Sequence, residues 1–149
     1  MAKPTPLSSA DDSTWRALLL AHDTMLEQID ATLESSVDLT LGEFEVLDFL
    51  AAAKGNQVRM NELATLTRLS PSGLTRRFDS LVRRGWVTRT KAAEDGRGIL
   101  AGITSKGLAK VAEARPVHAQ AVRTFCFDRL SAEQSHALGN IAERLATAD

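Results

Sequence analysis

The stretch from Leu69-Ser70-Pro71 to Arg84-Gly85 constrains this chain more than any other. Ser70 has the side chain of a helix N-cap, Pro71 falls where a missing N–H costs nothing, and Leu69 can staple against Leu74. Gly85 supplies the left-handed residue that ends a helix. Between these signals Leu74, Phe78, Leu81 and Val82 stand at i, i+4, i+7 and i+8, so one helical face is apolar. Ser72, Arg76, Asp79, Ser80 and Arg83 take the opposite face, with Thr75, Arg77 and Arg84 at its edges.

The flanking elements are short. A helix over Asn61 to about Thr67, with Leu63, Ala64 and Leu66 inward, comes just before. Two strand-like runs come after, Trp86 to Lys91 and Ile99 to Ile103, around a tip of Glu94-Asp95-Gly96-Arg97-Gly98. Upstream, Thr40 and Glu43 form a capping box for a helix with Phe44, Leu47, Leu50 and Ala51 inward, ended by Gly55. Downstream, Thr104 can cap a helix running toward Asp128 with a kink at Pro116. Ser131 with Gln134 opens a last helix with Leu138, Ile141 and Leu145 inward.

The first helix is of a different kind. Trp15, Leu18, Leu19, His22, Leu26, Ile29 and Leu33 keep helical spacing over about five turns, opposite an acidic face of Asp23, Glu27, Asp30 and Glu34. This stripe, with Val122, Phe125 and the Leu138, Ile141, Leu145 stripe, lies outside the lobe built by the middle of the chain and calls for a partner. The expected fold is mainly α with a small β-hairpin wing. Residues 1–12 are read as a disordered tail and 13–149 as one domain, with 13–39 and 105–149 as dimerisation helices around a winged helix-turn-helix lobe at 40–104.

Composition narrows the function. The 149 residues carry 18 basic and 19 acidic groups, but 56–107 has a net charge of +6 while 1–39 has −5. Within 68–91, Arg68, Arg76, Arg77, Arg83, Arg84, Arg89 and Lys91 face Asp79 alone, the footprint of a polyanion-binding surface. No apolar run reaches the roughly 18 residues of a membrane span, 1–12 lacks a cationic apolar signal, and the single Cys126 has no internal disulfide partner. The expected location is the cytoplasm.

Two helices joined by a tight turn and followed by a hairpin fit double-stranded DNA. An α-helix fills the major groove, whose base edges are distinguishable, and a hairpin can lay a side chain in the minor groove. The DNA-facing set is Ser70, Ser72, Thr75, Arg76, Arg77, Ser80, Arg83 and Arg84. Ser72, Thr75 and Arg76 near the helix start are expected at base edges, and Arg83 and Arg84 at phosphates. For Arg77 and Arg84 a purely solubilising surface role fits equally well. Asp95 and Arg97 are the wing candidates, Arg97 for the minor groove.

The run Leu63-Ala64 through Leu69-Ser70-Pro71-Ser72, then Leu74-Thr75-Arg76, Asp79, Leu81, Gly85 and Val87, resembles the helix-turn-helix signature of MarR-type transcription regulators. Asp95-x-Arg97 followed by Ile103-Thr104-x-x-Gly107 is similar to that family's wing motif, with Ile103 in place of the usual Leu and Gly102 loosening the second strand. The resemblance covers about residues 13–147. It implies a homodimer with intertwined terminal helices, a pseudo-two-fold operator, repression by default, and a cleft for a small anionic or phenolic ligand. Trp15, His22, Glu45, Asp48 and Arg77 are the residues that could line such a cleft, although Trp15 and His22 fit core packing better.

Other readings have less behind them. A redox-responsive regulator using Cys126 is an alternative, but that residue lies between Phe125 and Phe127, where a small inert hydrophobe fits. A nonspecific or architectural DNA binder is permitted by the +6 segment alone. An enzyme is not expected. Gly96-x-Gly98 lies in a hairpin, not between strand and helix, and His22, His118 and His136 share no metal spacing, so neither cofactor nor metal is anticipated.

Overall fold

A computed structural model describes residues 5–91 and 98–147. Among the described residues six α-helices and three strands follow in order: α1 (Ser9–Val37), α2 (Leu41–Ala52), β1 (Gln57–Arg59), α3 (Met60–Leu66), α4 (Pro71–Arg83), β2 (Val87–Lys91), β3 (Ile99–Ile103), α5 (Ser105–Phe125) and α6 (Ala132–Ala146). The chain divides into two compact units, Asp30–Gln120 and the pairing of Met1–Ile29 with Ala121–Asp149.

In the Asp30–Gln120 unit the end of α1, α2, α3, α4 and the start of α5 close around Leu33, Leu47, Leu50, Leu63, Phe78 and Leu81, all fully buried. The capping box at Thr40 and Glu43 forms as expected, and the Leu41 N–H donates to Asp30 Oδ1 at 2.5 Å, which fixes the corner between α1 and α2. Helix α2 ends at Ala52, short of the expected Gly55. That glycine sits at φ +71 in a following 3-10 turn, Lys54–Asn56, which leads into β1. The three-residue β1 has no alternation to show in sequence. It exists because β3 pairs with it on one edge and with β2 on the other, giving an antiparallel sheet in the order β1-β3-β2. Gly102 lies mid-sheet between Gln57 and Thr88, where an added Cβ would come within 3.1 Å of Thr88 Oγ1.

Two residues expected inward are surface-facing. Leu66 is 41% and Val82 38% exposed, because each stands on the flank of its helix beyond the reach of the core. Trp86 belongs to the turn after α4, its N–H donating to the Leu81 carbonyl. Thr104 caps α5 by accepting the Gly107 N–H, while its own N–H and hydroxyl donate to Trp86 and Gly85 carbonyls. Helix α5 continues through Pro116, which has no backbone N–H to donate.

In the other unit α1 begins at Ser9, inside the stretch expected to be tail. The Ser8 hydroxyl accepts the Asp11 N–H and donates to its carboxylate, and Asp11 and Asp12 suit the positive end of a helix. Ser131 and Gln134 form the second capping box, at α6. The apolar stripes here are open: Trp15 is 52% exposed, Leu18 45% and Leu26 41%, and on α6 Leu138, Ile141 and Leu145, expected inward, are 39%, 54% and 71% exposed because a single chain offers that stripe no cover. Leu18, Met25, Phe125, Cys126 and Leu138 line an apolar groove in this unit, with Cys126 half-buried.

Candidate nucleic-acid interface

Helix α4 is held at both ends. At its start the Ser70 hydroxyl accepts the Gly73 N–H at 3.1 Å and Pro71 takes the first helical position. The turn from α3 closes as a Schellman motif: Leu69 N–H donates to the Ala64 carbonyl and Arg68 N–H to Thr65, with Arg68 left-handed at φ +53. An arginine in that conformation carries no signal in sequence, which is why the turn was legible only from its flanks. At the far end Gly85, at φ +75, reverses the chain into β2.

The eight residues expected at DNA on α4 and its two caps fall into two groups. Ser70, Ser72, Thr75, Arg76 and Arg83 are exposed. Arg77, Ser80 and Arg84 are half-buried and turned toward the body of the unit. Ser80 Oγ donates to Glu43 Oε1 at 2.9 Å. Arg84 donates to the Asp38 carbonyl, lies 3.4 Å from the Asp38 carboxylate and 4.0 Å from Glu43, and stacks 4.7 Å over the Trp86 ring. Arg77 lies across Gly42 so closely that a Cβ there would come within 2.4 Å of its guanidinium carbon. Partial burial pushes the Glu45 carboxyl above its ordinary pKa, and the positive charges of Arg77 and Arg68 work against that rise.

In the sequence Arg89 is one charge of the basic stretch and Asp79 a polar-face residue of the helix-turn-helix signature, with nothing to join them. They are an ion pair that joins β2 to α4, and the Arg89 guanidinium also lies 5.0 Å from the centre of the Phe78 ring. They lie ten residues apart on two different elements with a turn between them, so no periodicity within one element could reveal the pair. Asp95 and Arg97, the wing candidates, lie outside the described residues.

The five cleft candidates are divided between the units. Trp15 and His22 are exposed in one, where His22 Nδ1 lies 2.9 Å from Asp23 Oδ1. In the other, Asp48 is committed to Arg115 at 2.8 Å, while Glu45 and Arg77 interact electrostatically. Beside Asp48, His118 stacks on Phe44 with ring centres 4.5 Å apart. Burial lowers the His118 pKa below its ordinary value and Asp48 opposes that fall.

This architecture has close counterparts. The sequence profile of the MarR family matches residues 37–98. The HTH-type transcriptional repressor YetL of Bacillus subtilis is 29% identical over 111 residues, 72% of this chain and 66% of the relative. The multiple antibiotic resistance protein MarR of Escherichia coli is 35% identical over 75 residues, 50% of this chain and 51% of the relative. These matches therefore span just under two-thirds and about half of the curated relatives' lengths. Among solved structures, the MarR-family regulator Sco3205 of Streptomyces coelicolor, crystallised in complex with DNA, superposes with a TM-score of 0.91 at 29% identity, covering 98% of this chain and 91% of that one. With the helix-turn-helix, the three-stranded sheet and this likeness along nearly its whole length, the chain is similar in fold and sequence to the MarR family of transcription regulators, the profile of which matches its DNA-binding lobe.

Proposed function

We propose that the chain acts as a homodimeric, sequence-specific repressor on pseudo-palindromic double-stranded DNA in the cytoplasm, released by a small anionic or phenolic ligand. The observation that carries the DNA reading is the exposed face of α4, where Ser72, Thr75 and Arg76 stand free of the core near the helix start. Hydroxyls and an arginine there can donate to and accept from base edges in the major groove. Arg83, one turn or more later, takes a phosphate. Ser80 and Arg84 are assigned to holding α4 in place, since their polar atoms are already engaged. Arg97 is retained as the minor-groove residue and Asp95 as its orienting partner, on the sequence reading alone.

Dimerisation is supported by apolar exposure. A lone chain leaves Trp15, Leu18, Leu19, Leu26, Ile141 and Leu145 at 41–71% exposure, large apolar side chains of the kind that mark an interaction surface when they cluster. The relative named as a repressor and the one crystallised with DNA support the repressor and DNA-binding parts of the reading. Selection of bound fragments from a random duplex library by purified protein tests the reading. A symmetric motif with half-sites about 10 bp apart is expected. A library that emerges unenriched, or a protein that sediments as a monomer at micromolar concentration, would overturn it. Leu26→Asp with Ile141→Asp, both at surface positions, should give folded monomers that no longer hold the enriched duplex.

A further inference from the structure

Arg89 is the third residue of β2, on the strand face shared with Val87, which is buried. Its neighbour across the sheet is the fully buried Ala101. That placement aims the guanidinium at α4. Nη1 donates to the Asp79 carboxylate, Nη2 reaches the Thr75 carbonyl at 3.4 Å, and the cation rests against the ring of Phe78, a side chain with no exposed surface. Asp79 is the sole acid between Arg68 and Lys91, and on its own helix it stands one turn from both Arg76 and Arg83. Its carboxylate nevertheless pairs across to the strand.

A half-exposed ion pair adds little stability, so the consequence of this one is where it keeps a charge. A mobile Arg89 beside the recognition helix would reach phosphate oxygens, which every duplex offers alike. A held Arg89 cannot. We propose that Asp79 is a specificity-determining residue: by latching Arg89 to α4 it withholds that cation from the DNA backbone and fixes the wing strand against the helix that carries Ser72, Thr75 and Arg76. The inference rests on the DNA-binding reading above. Specificity is a ratio of affinities, and the latch raises it by depressing the denominator.

The test uses the full-length protein and two probes, a duplex enriched from a random library by the wild type and a scrambled duplex of equal composition, each titrated across a range of KCl. Asp79→Asn should bind the scrambled duplex roughly threefold to tenfold more tightly, with a log–log salt slope steeper by about one per lobe, and lose preference by a similar factor. Arg89→Met should leave the slope on the scrambled duplex unchanged. In the Arg89→Met background Asp79→Asn should then have no further effect, because the carboxylate acts through the guanidinium. The latch is overturned if Arg89→Met alone flattens the slope by about one per lobe, which would place Arg89 on phosphate in the parent. It is equally overturned if Asp79→Asn acts alike with and without Arg89, or leaves the preference intact. A wild type that enriches no duplex removes the proposed function and the latch together, whereas enrichment with an indifferent Asp79→Asn removes the latch alone.

Discussion

The Arg84 guanidinium donates through Nη1 to the main-chain carbonyl of Asp38 at 2.6 Å. Asp38 stands at φ +51 directly after α1, so the arginine that follows the recognition helix meets the negative end of another helix. Trp86 backs the same guanidinium at 4.7 Å. Arg84→Ala should therefore lower stability by about 1–2 kcal/mol, read as a shift of the urea midpoint at constant slope. It should leave the salt dependence of DNA binding alone. A salt slope flatter by about one per lobe would return Arg84 to the phosphate contacts.

Arg76 and Arg83 separate base reading from phosphate contact. Both are exposed on α4, seven residues apart and so on one face. Arg76→Ala should cost about 1–3 kcal/mol on the enriched duplex and relax preference at one position per half-site. Arg83→Ala should weaken all duplexes similarly and flatten the salt slope by about one per half-site. Binding of single-base variants of the enriched duplex by each mutant separates the two, and indistinguishable profiles would refute the assignment.

What could be read in the sequence was whatever is decided within a few residues. Ser70-Pro71, Thr40 with Glu43, Ser131 with Gln134 and Gly85 are local devices, and each sits where its chemistry requires. The missed features depend on distant partners. Strand β1 exists through β3, more than forty residues on. Ser80 finds Glu43 at a separation of 37 residues and Arg84 finds Asp38 at 46. A helical wheel places Ser80 and Arg84 near the polar side but cannot show that another helix end is waiting there. The Ser8 and Asp11 cap is also local, but the Pro-rich stretch before it has the composition of a tail and masks the helix start.

Gly107 tests how tightly α5 is set on the sheet. An added Cβ would lie 2.2 Å from the Trp86 carbonyl oxygen and 2.7 Å from Ile103 Cγ1. Alanine in a helix normally gains up to about 1 kcal/mol over glycine. Here the obstacle is the Trp86 backbone, which also accepts the Thr104 N–H, so α5 must shift off that turn and the end of β3. Gly107→Ala is expected to lose about 1–3 kcal/mol net, measured by chemical denaturation. A stabilised variant would show that this junction is looser than the contact implies.

His118 gives stability an acid limb. Its ring is stacked on Phe44, and burial holds its pKa below the ordinary 6.5 while Asp48, itself paired with Arg115, pulls the other way. The folded chain therefore prefers the neutral imidazole, and the unfolded chain takes up the proton first as pH drops. Stability from this group is complete above the unfolded value of 6.5 and is lost as pH falls through it toward the lower folded pKa; below both the dependence vanishes. His118→Gln should flatten the rise of unfolding free energy with pH across that window. Asp48→Asn, by removing the opposing carboxylate, should depress the His118 pKa further and extend the window toward acid. Urea titrations at several pH values, with the imidazole protons followed by NMR, check both. An imidazole titrating at or above 6.5 in the folded protein would contradict the argument.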